Sequence, residues 1–179
     1  MSEFQFQEGE IEGYLIVDGT SFDDHRGSFS RLYSKSIFSE NSRFKEIEHI
    51  NLSVNPEKHT LRGFHYSPIE VEEIKVFRCL TGAIFNVTID VRKNSATFGK
   101  KKIIELVASE RTSIVVPAGC ANAWMTMQAD TRILYLVSAE YQSSKERGFR
   151  YDDPQFAIDW PSAPRKISSK DLAWKQFAS

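Results

Sequence analysis

Residues 83–91 read Ala83-Ile84-Phe85-Asn86-Val87-Thr88-Ile89-Asp90-Val91. Ala83, Phe85, Val87, Ile89 and Val91 share one face of an extended chain, and Ile84, Asn86, Thr88 and Asp90 share the other. This period of two predicts a strand with one dry face and one largely polar face. The preceding run, Lys75 to Leu80, is joined to it by Thr81-Gly82, and the pair reads as a hairpin. Further along, Ile103 to Val107, Thr112 to Val116 and Thr131 to Val137 also read as strands, and Val116-Pro117-Ala118-Gly119 ends one of them in a turn. Short strands between dense turn signals, from about Gly13 to Pro161, predict an all-β sandwich or jelly roll. Helices are minor: a short one at Lys35 to Asn41 and a C-terminal one at Asp171 to Phe177. Ser168-Ser169-Lys170-Asp171 resembles a capping box for the latter, with Ser168 at the N-cap and Asp171 at N3.

A chain of 179 residues suits one domain spanning 1–179. Its apolar fraction of 41% is enough for a core and excludes wholesale disorder. Lys and Arg total 23 against 24 Asp and Glu, so the formal charge of −1 gives no global pull toward nucleic acid or an anionic membrane. A local basic cluster can still hold a small anion. No apolar run approaches the length of a membrane span. Met1-Ser2-Glu3-Phe4-Gln5-Phe6-Gln7-Glu8 has neither the basic nor the apolar region of a secretory signal. Two cysteines in apolar segments, Cys79 and Cys120, make no disulfide framework, and the expectation is a cytoplasmic protein with two buried thiols.

Of the four histidines, His25, His49, His59 and His65, only His65 sits in a dense apolar and basic segment, Thr60-Leu61-Arg62-Gly63-Phe64-His65-Tyr66. The histidine pair of a metal-holding jelly roll requires a second histidine two residues on, where this chain has Ser67. The later turn offers Asn122 where an imidazole would be wanted. One imidazole and a neutral amide are a poor transition-metal shell, so no metal is expected. Acid–base chemistry remains, with His65, Lys75, Tyr135, Tyr141, Glu146 and Asp171 as candidate participants and Arg26, Arg62 and Lys170 as candidate anion binders. Each also has a plain structural reading: Lys75 and Arg62 as solvated strand residues, Tyr135 as a core aromatic, Arg26 as a turn residue, Asp171 as a helix cap. Spacing alone does not assemble them into a site. In a regular strand Arg62 and His65 point to opposite faces. For both to serve one ligand the strand must bulge or bend, and an irregularity is expected at Gly63 between them, glycine being a common bulge residue.

An ordered set of motifs resembles the dTDP-4-dehydrorhamnose 3,5-epimerases, metal-free cupins that act on nucleotide sugars. The set comprises Phe22-Asp23-Asp24-His25-Arg26-Gly27-Ser28-Phe29, Leu61-Arg62-Gly63-Phe64-His65-Tyr66, Asn86 to Lys93 followed by Ser95 and Thr97-Phe98-Gly99, Val116-Pro117-Ala118-Gly119, Leu134-Tyr135, Tyr141, Asp152-Asp153-Pro154, Ile158-Asp159-Trp160-Pro161 and Ser169-Lys170-Asp171. The resemblance implies a cupin jelly roll, a homodimer with exchanged N-terminal strands, and no cofactor. It also implies a substrate, a dTDP-linked 4-keto-6-deoxyhexose whose C3 and C5 protons are acidified by the C4 ketone. Carried over residue by residue, His65 is the base and Asp171 its partner, fixing the tautomer. Tyr135 is the acid on the opposite face, and Lys75 stabilises the enolate. Arg62, Arg26 and Lys170 bind the diphosphate, Tyr141 stacks on thymine, and Asn51 and Glu146 make polar contacts.

The chain departs from the family pattern at five positions. Asn122 stands for a histidine, Asn86 for an aspartate, Leu136 for a lysine, Arg31 for a glutamate that contacts nucleotide, and His49 for a glutamine. The first two remove a titratable group each, since an amide hydrogen-bonds but carries no charge. The base, its partner, the acid and the lysine all survive. The expectation is therefore an active isomerase at C3 and/or C5 in deoxysugar biosynthesis, with altered scope. The alternatives are a single-centre epimerase, a 3,4-ketoisomerase on a related sugar, and a non-catalytic nucleotide-sugar binder.

Overall fold

A computed structural model describes residues 3–178. The strands are β1 (Phe4–Glu8), β2 (Leu15–Gly19), β3 (Ser21–Asp24), β4 (Gly27–Ser30), β5 (His49–Asn55), β6 (Leu61–Tyr66), β7 (Lys75–Thr81), β8 (Ala83–Asp90), β9 (Lys101–Val107), β10 (Thr112–Val116), β11 (Cys120–Thr126), β12 (Thr131–Val137) and β13 (Arg147–Gly148). Two short helices accompany them, α1 (Lys35–Asn41) and α2 (Ser169–Ala173). A six-stranded sheet in the order β1-β2-β10-β7-β12-β5 faces a five-stranded sheet in the order β13-β6-β11-β8-β9, and β3 and β4 form a separate ribbon. Adjacent strands pair antiparallel. This is an all-β jelly roll. Among the described residues no helix is long and apolar enough to cross a membrane.

The expected hairpin of residues 75–91 does not form. β7 belongs to the six-stranded sheet, between β10 and β12, while β8 lies in the other sheet between β11 and β9. The Thr81-Gly82 turn carries the chain from one sheet to the other, with Gly82 at φ +75 and packed against Thr131. A period of two shows that both segments are strands but leaves their pairing partners open.

Three apolar layers result. Between the sheets lie Tyr14, Phe77, Cys79, Ile84, Leu106, Ile114, Trp124 and Ile133. Outside the six-stranded sheet, Phe38 of α1 and Phe44 cover Leu15, Val17, Val76, Val115 and Leu136. Seven residues are too few for a helix to stand alone. Tertiary packing holds α1, with Phe38 fully buried and set edge-on to Phe4 at 5.3 Å between ring centroids. Outside the five-stranded sheet, Phe149, Phe156, Trp160 and Phe177 cover Val87, Ile89, Ala121 and Ala123. Buried Asp153 ties this C-terminal covering down by accepting the Phe177 N–H at 2.5 Å.

The dry face of β8 therefore faces outward under the C-terminal segment, and its polar face points between the sheets, where Asn86, Thr88 and Asp90 are fully buried. Asp90 accepts from the Arg92 guanidinium at 2.8 Å and from the Ser95 and Thr97 hydroxyls at 2.6 Å each. Burial works against its charge, but these bonds win and lower its pKa from 3.8 to about 2.

Candidate active site

The irregularity predicted at Gly63 is present, and it is a bulge. Asn122 of β11 lies opposite His65 and Trp124 opposite Arg62, so three residues of β6 span the step that two of β11 span. Gly63 sits at φ +114, and a Cβ there would lie within 2.7 Å of Ala123 and of the Asn122 carbonyl, so only glycine fits. The extra residue turns Arg62 and His65 to the same side of the sheet, and both line a pocket of about 200 Å³ with Lys75, Tyr135, Asn122 and Trp124. His65, Lys75 and Tyr135 also line a wider cleft of about 430 Å³, which Asn51, His49 and Tyr141 share. His65 and Asn122 come from the five-stranded sheet, and Tyr135, Lys75 and Asn51 from the six-stranded one, so the opposed sheets contribute the two walls. A larger hollow of about 600 Å³ beside Arg43 and Arg92 has no histidine in its walls.

His65 Nε2 lies 2.6 Å from Asp171 Oδ1. The Asp171 side chain is 4% exposed, against 31% for His65, so the imidazole meets the cleft and the carboxylate stands behind it. Burial alone would raise the Asp171 pKa. The hydrogen bond from His65, the imidazole's charge, and the bonds from the Gly63 N–H and from Ser168 outweigh it, and the net shift is downward. An ionised carboxylate at Nε2 keeps the proton on that nitrogen and leaves Nδ1 as the basic one. Asp171 is brought here by α2, which is capped by Ser168 and Trp174 and is shorter than the expected helix to Phe177. Only half of the capping box forms. Ser168 Oγ accepts from the Asp171 N–H at 3.0 Å, while the Asp171 side chain turns away to His65 and Gly63.

Tyr135 stacks on Phe77 with centroids 5.3 Å apart. Its hydroxyl pKa is raised, first by burial, with Arg62 acting against and Glu73 adding to the rise. The phenol therefore stays protonated at neutral pH. Lys75 Nζ is 2.8 Å from Glu73 Oε1. Arg62 donates from Nε and from one terminal nitrogen to Asn55 Oδ1, both at 3.2 Å, and its guanidinium lies 5.6 Å from the Trp124 ring centroid. At the rim, Glu146 accepts from the Tyr141 hydroxyl at 2.7 Å and from Lys170 at 2.6 Å. The His49 ring accepts the Tyr141 N–H at 3.4 Å. A histidine–carboxylate pair facing a tyrosine and a lysine can take a proton on one side of a ligand, steady an anion and return a proton on the other.

A family model described as dTDP-4-dehydrorhamnose 3,5-epimerase matches residues 8–179. The chain belongs to this family. It is 34% identical over 170 residues to a dTDP-4-dehydrorhamnose 3,5-epimerase of Sinorhizobium fredii, covering 95% of this chain and 87% of the relative. A crystal structure of the Bacillus anthracis epimerase with TDP and PPi bound superposes with a TM-score of 0.92 at 26% identity, covering 97% of this chain and 99% of that one. The 3'-monoepimerase ChmJ of Streptomyces bikiniensis, crystallised with dTDP-quinovose, gives a TM-score of 0.86 at 28% identity, with 93% and 85% covered.

Within this epimerase fold most of the residues singled out by sequence converge on the cleft or its rim, and three do not. Arg26 is at the tip of the β3–β4 ribbon, 78% exposed and paired with Asp24 at 2.6 Å. Arg31 pairs with Glu3 at 3.1 Å, outside the cleft. Asn86 is fully buried behind Asn122 and is not among the residues that line the cleft or the smaller pocket. The Asn122 amide lies within hydrogen-bond reach of Asn86 Oδ1 (3.0 Å), the Val87 carbonyl (3.2 Å) and Thr88 Oγ1 (3.0 Å), and Asn86 donates back to Asn122 Oδ1 at 3.3 Å. The two departures from the epimerase pattern thus form one neutral pair. The departure at Leu136 lies elsewhere, in the outer apolar cluster and on the opposite face of β12 from Tyr135. Sequence reasoning missed Glu73, Ser67, Asn55 and Trp124. A usable signal existed for Glu73, because two residues before Lys75 is the same face of an extended chain.

Proposed function

We propose that this chain epimerises a dTDP-linked 4-keto-6-deoxyhexose at C3, C5 or both. The observation that carries the reading is the 2.6 Å His65–Asp171 pair, set in a cleft whose other wall supplies Tyr135 and Lys75. The C4 ketone acidifies the C–H bonds at C3 and C5. Nδ1 of His65 takes one of these protons, and the C–H electron pair passes into an enolate whose charge rests on the C4 oxygen. Lys75 steadies that oxyanion. Tyr135 gives its hydroxyl proton to the same carbon from the opposite side, inverting the centre, and exchange with solvent returns both groups to their starting states. A positioned base or acid of this kind is worth about 10²- to 10⁴-fold. Arg62 and Lys170 hold the diphosphate, and Tyr141, steadied by Glu146, stacks on thymine. No step calls for a redox change.

The assembly we propose is a homodimer. Ile50, Leu52 and Val54 of edge strand β5 are 62%, 55% and 50% exposed, and the ribbon carries Phe22 and Phe29 at 55% and 62%. Two large apolar patches on one chain favour burial against a second copy. In the single chain β1 lies on its own β2, so the ribbon, with Arg26 at its tip, is the N-terminal element free to reach a neighbour's site. The buried thiols of Cys79 and Cys120, pushed up by burial to about 11 and about 12, suit a reducing compartment such as the cytoplasm.

A second reading, epimerisation of one centre only, is favoured by the Asn86–Asn122 pair, which places no titratable group at that end of the pocket. Incubation with dTDP-4-keto-6-deoxyglucose in D₂O, followed by NMR, separates the readings. Label at C3 and C5 supports the double epimerase, and label at one carbon supports the narrower enzyme. A ketone shifted to C3 identifies a ketoisomerase, and tight binding with no label a non-catalytic binder. Replacing His65 by Ala abolishes exchange and leaves dTDP binding within a few-fold; undiminished exchange removes His65 as base.

A further inference from the structure

We propose that Glu73 is a positioning residue for this reaction, holding the Lys75 ammonium at the C4 oxygen and locking it to the strand that carries the base. The proposal rests on the epimerase reading above. Glu73 Oε1 accepts from Lys75 Nζ at 2.8 Å and from the Ser67 hydroxyl at 2.9 Å. The Glu73 side chain is only 10% exposed and that of Lys75 21%, so the pair is shielded from the water that makes surface ion pairs weak. Ser67 follows the end of β6 two residues after His65, and Lys75 opens β7 in the facing sheet. One carboxylate oxygen therefore bridges the base-bearing wall and the lysine-bearing wall, and both Ser67 and Glu73 line the cleft between them.

The physical case is one of order and charge. A lysine side chain has four rotatable bonds and is floppy unless something holds its head group. An oxyanion stabiliser contributes most when it is already in place as charge develops. The Ser67–Glu73–Lys75 chain supplies that placement, and the Tyr135 hydroxyl also lies in the field of the Glu73 charge, which adds to the rise in its pKa that burial begins. The same carboxylate offsets the lysine's charge in the resting cleft, so a neutral ketone is not over-held. Its effect is on turnover, not on affinity.

Glu73→Gln keeps the length of the side chain and an oxygen for Ser67 but removes the charge. On the deuterium-exchange assay we expect kcat to fall about tenfold, with KM within about twofold and the unfolding temperature unchanged. In a Lys75→Met background the same substitution costs less than about twofold further, because the group it positions is gone. Ser67→Ala lowers kcat by about threefold and is non-additive with Lys75→Met, which keeps the test open should either Glu73 variant fold poorly. An unchanged kcat, a change confined to KM, or losses that multiply with Lys75→Met overturn the role while leaving the epimerase reading intact. A wild-type enzyme that exchanges neither carbon overturns that reading and this role with it.

Discussion

Along β8, Asn86, Thr88 and Asp90 point between the sheets and are fully buried, while Val87 and Ile89 face outward beneath Phe149 and Phe156. Along β5, His49, Asn51 and Ser53 also point inward, but into the open cleft, while Ile50, Leu52 and Val54 face outward and bare. The two strands share one inverted pattern, polar inside and apolar outside. They differ in what covers the outside and in how wet the inside is. On central β8 the chain's own C-terminal segment supplies the cover, and every polar group is locked to a neighbour. On edge strand β5 the single chain supplies no cover, and the polar groups stay partly exposed at the cleft wall. Inward polarity therefore means buried architecture on one strand and the wall of an open cleft on the other.

Substitutions can break or sharpen this contrast. The largest effect is expected from Phe149→Ala, which strips the cover from β8. Loss of a buried phenylalanine costs about 3–5 kcal/mol, and chemical denaturation of the variant measures it; an unaltered midpoint means the C-terminal segment is not what seals that face. Asp90→Asn leaves the Arg92 guanidinium facing a neutral amide and should cost about 3 kcal/mol, close to the range for a broken buried pair. A third expectation follows from the sign of the Asp90 shift in the unmodified protein. The folded-state pKa is lower than the unfolded one, so ionised Asp90 stabilises the fold fully above pH ~4, and that contribution, about 2 kcal/mol, is lost as pH falls toward 2. Denaturation curves across that window should show the loss, and Asp90→Asn should flatten that part of it.

Smaller effects belong to β5. Leu52→Asp on its bare face should change the stability of the subunit by no more than about 0.5 kcal/mol while converting the proposed dimer into a monomer by sedimentation. A variant that remains dimeric moves the contact elsewhere. Asn51→Ala should be nearly silent in stability, within about 0.5 kcal/mol, yet raise KM several-fold in the exchange assay. A stability loss as large as that of Asp90→Asn would make the inner face of β5 structural after all.

Much of the fold was legible locally. Strands β10 and β12 and helix α1 have the boundaries read from the pattern, because side-chain alternation and turn residues are local facts. Gly63 was legible as an irregularity, because two candidate site residues of β6 could share one face only if the strand bulged or bent between them. The false hairpin at Thr81-Gly82 shows the limit, since adjacency in sequence does not say whether a turn folds back within a sheet or crosses to the next. Asp171 shows another. Its backbone N–H obeys the cap reading, while its side chain serves a histidine 106 residues earlier, a contact that no local rule contains.

The amino-acid sequence by itself determined the all-β class, the residues able to carry acid–base chemistry, and the motif order that places the chain among the dTDP-4-dehydrorhamnose 3,5-epimerases. These depend on side-chain type and on periodicity, which are present in the linear chain. Tertiary structure alone decided which of those residues meet. It set Tyr135 and Lys75 across from His65 and drew Asn86 back behind Asn122. It also left Arg26 at the tip of an outlying ribbon and joined Glu73 to Lys75 and Ser67. The reason is the jelly-roll crossing itself, which brings together strands from two sheets that are distant in sequence, so that the chemistry of the cleft is a product of long-range packing.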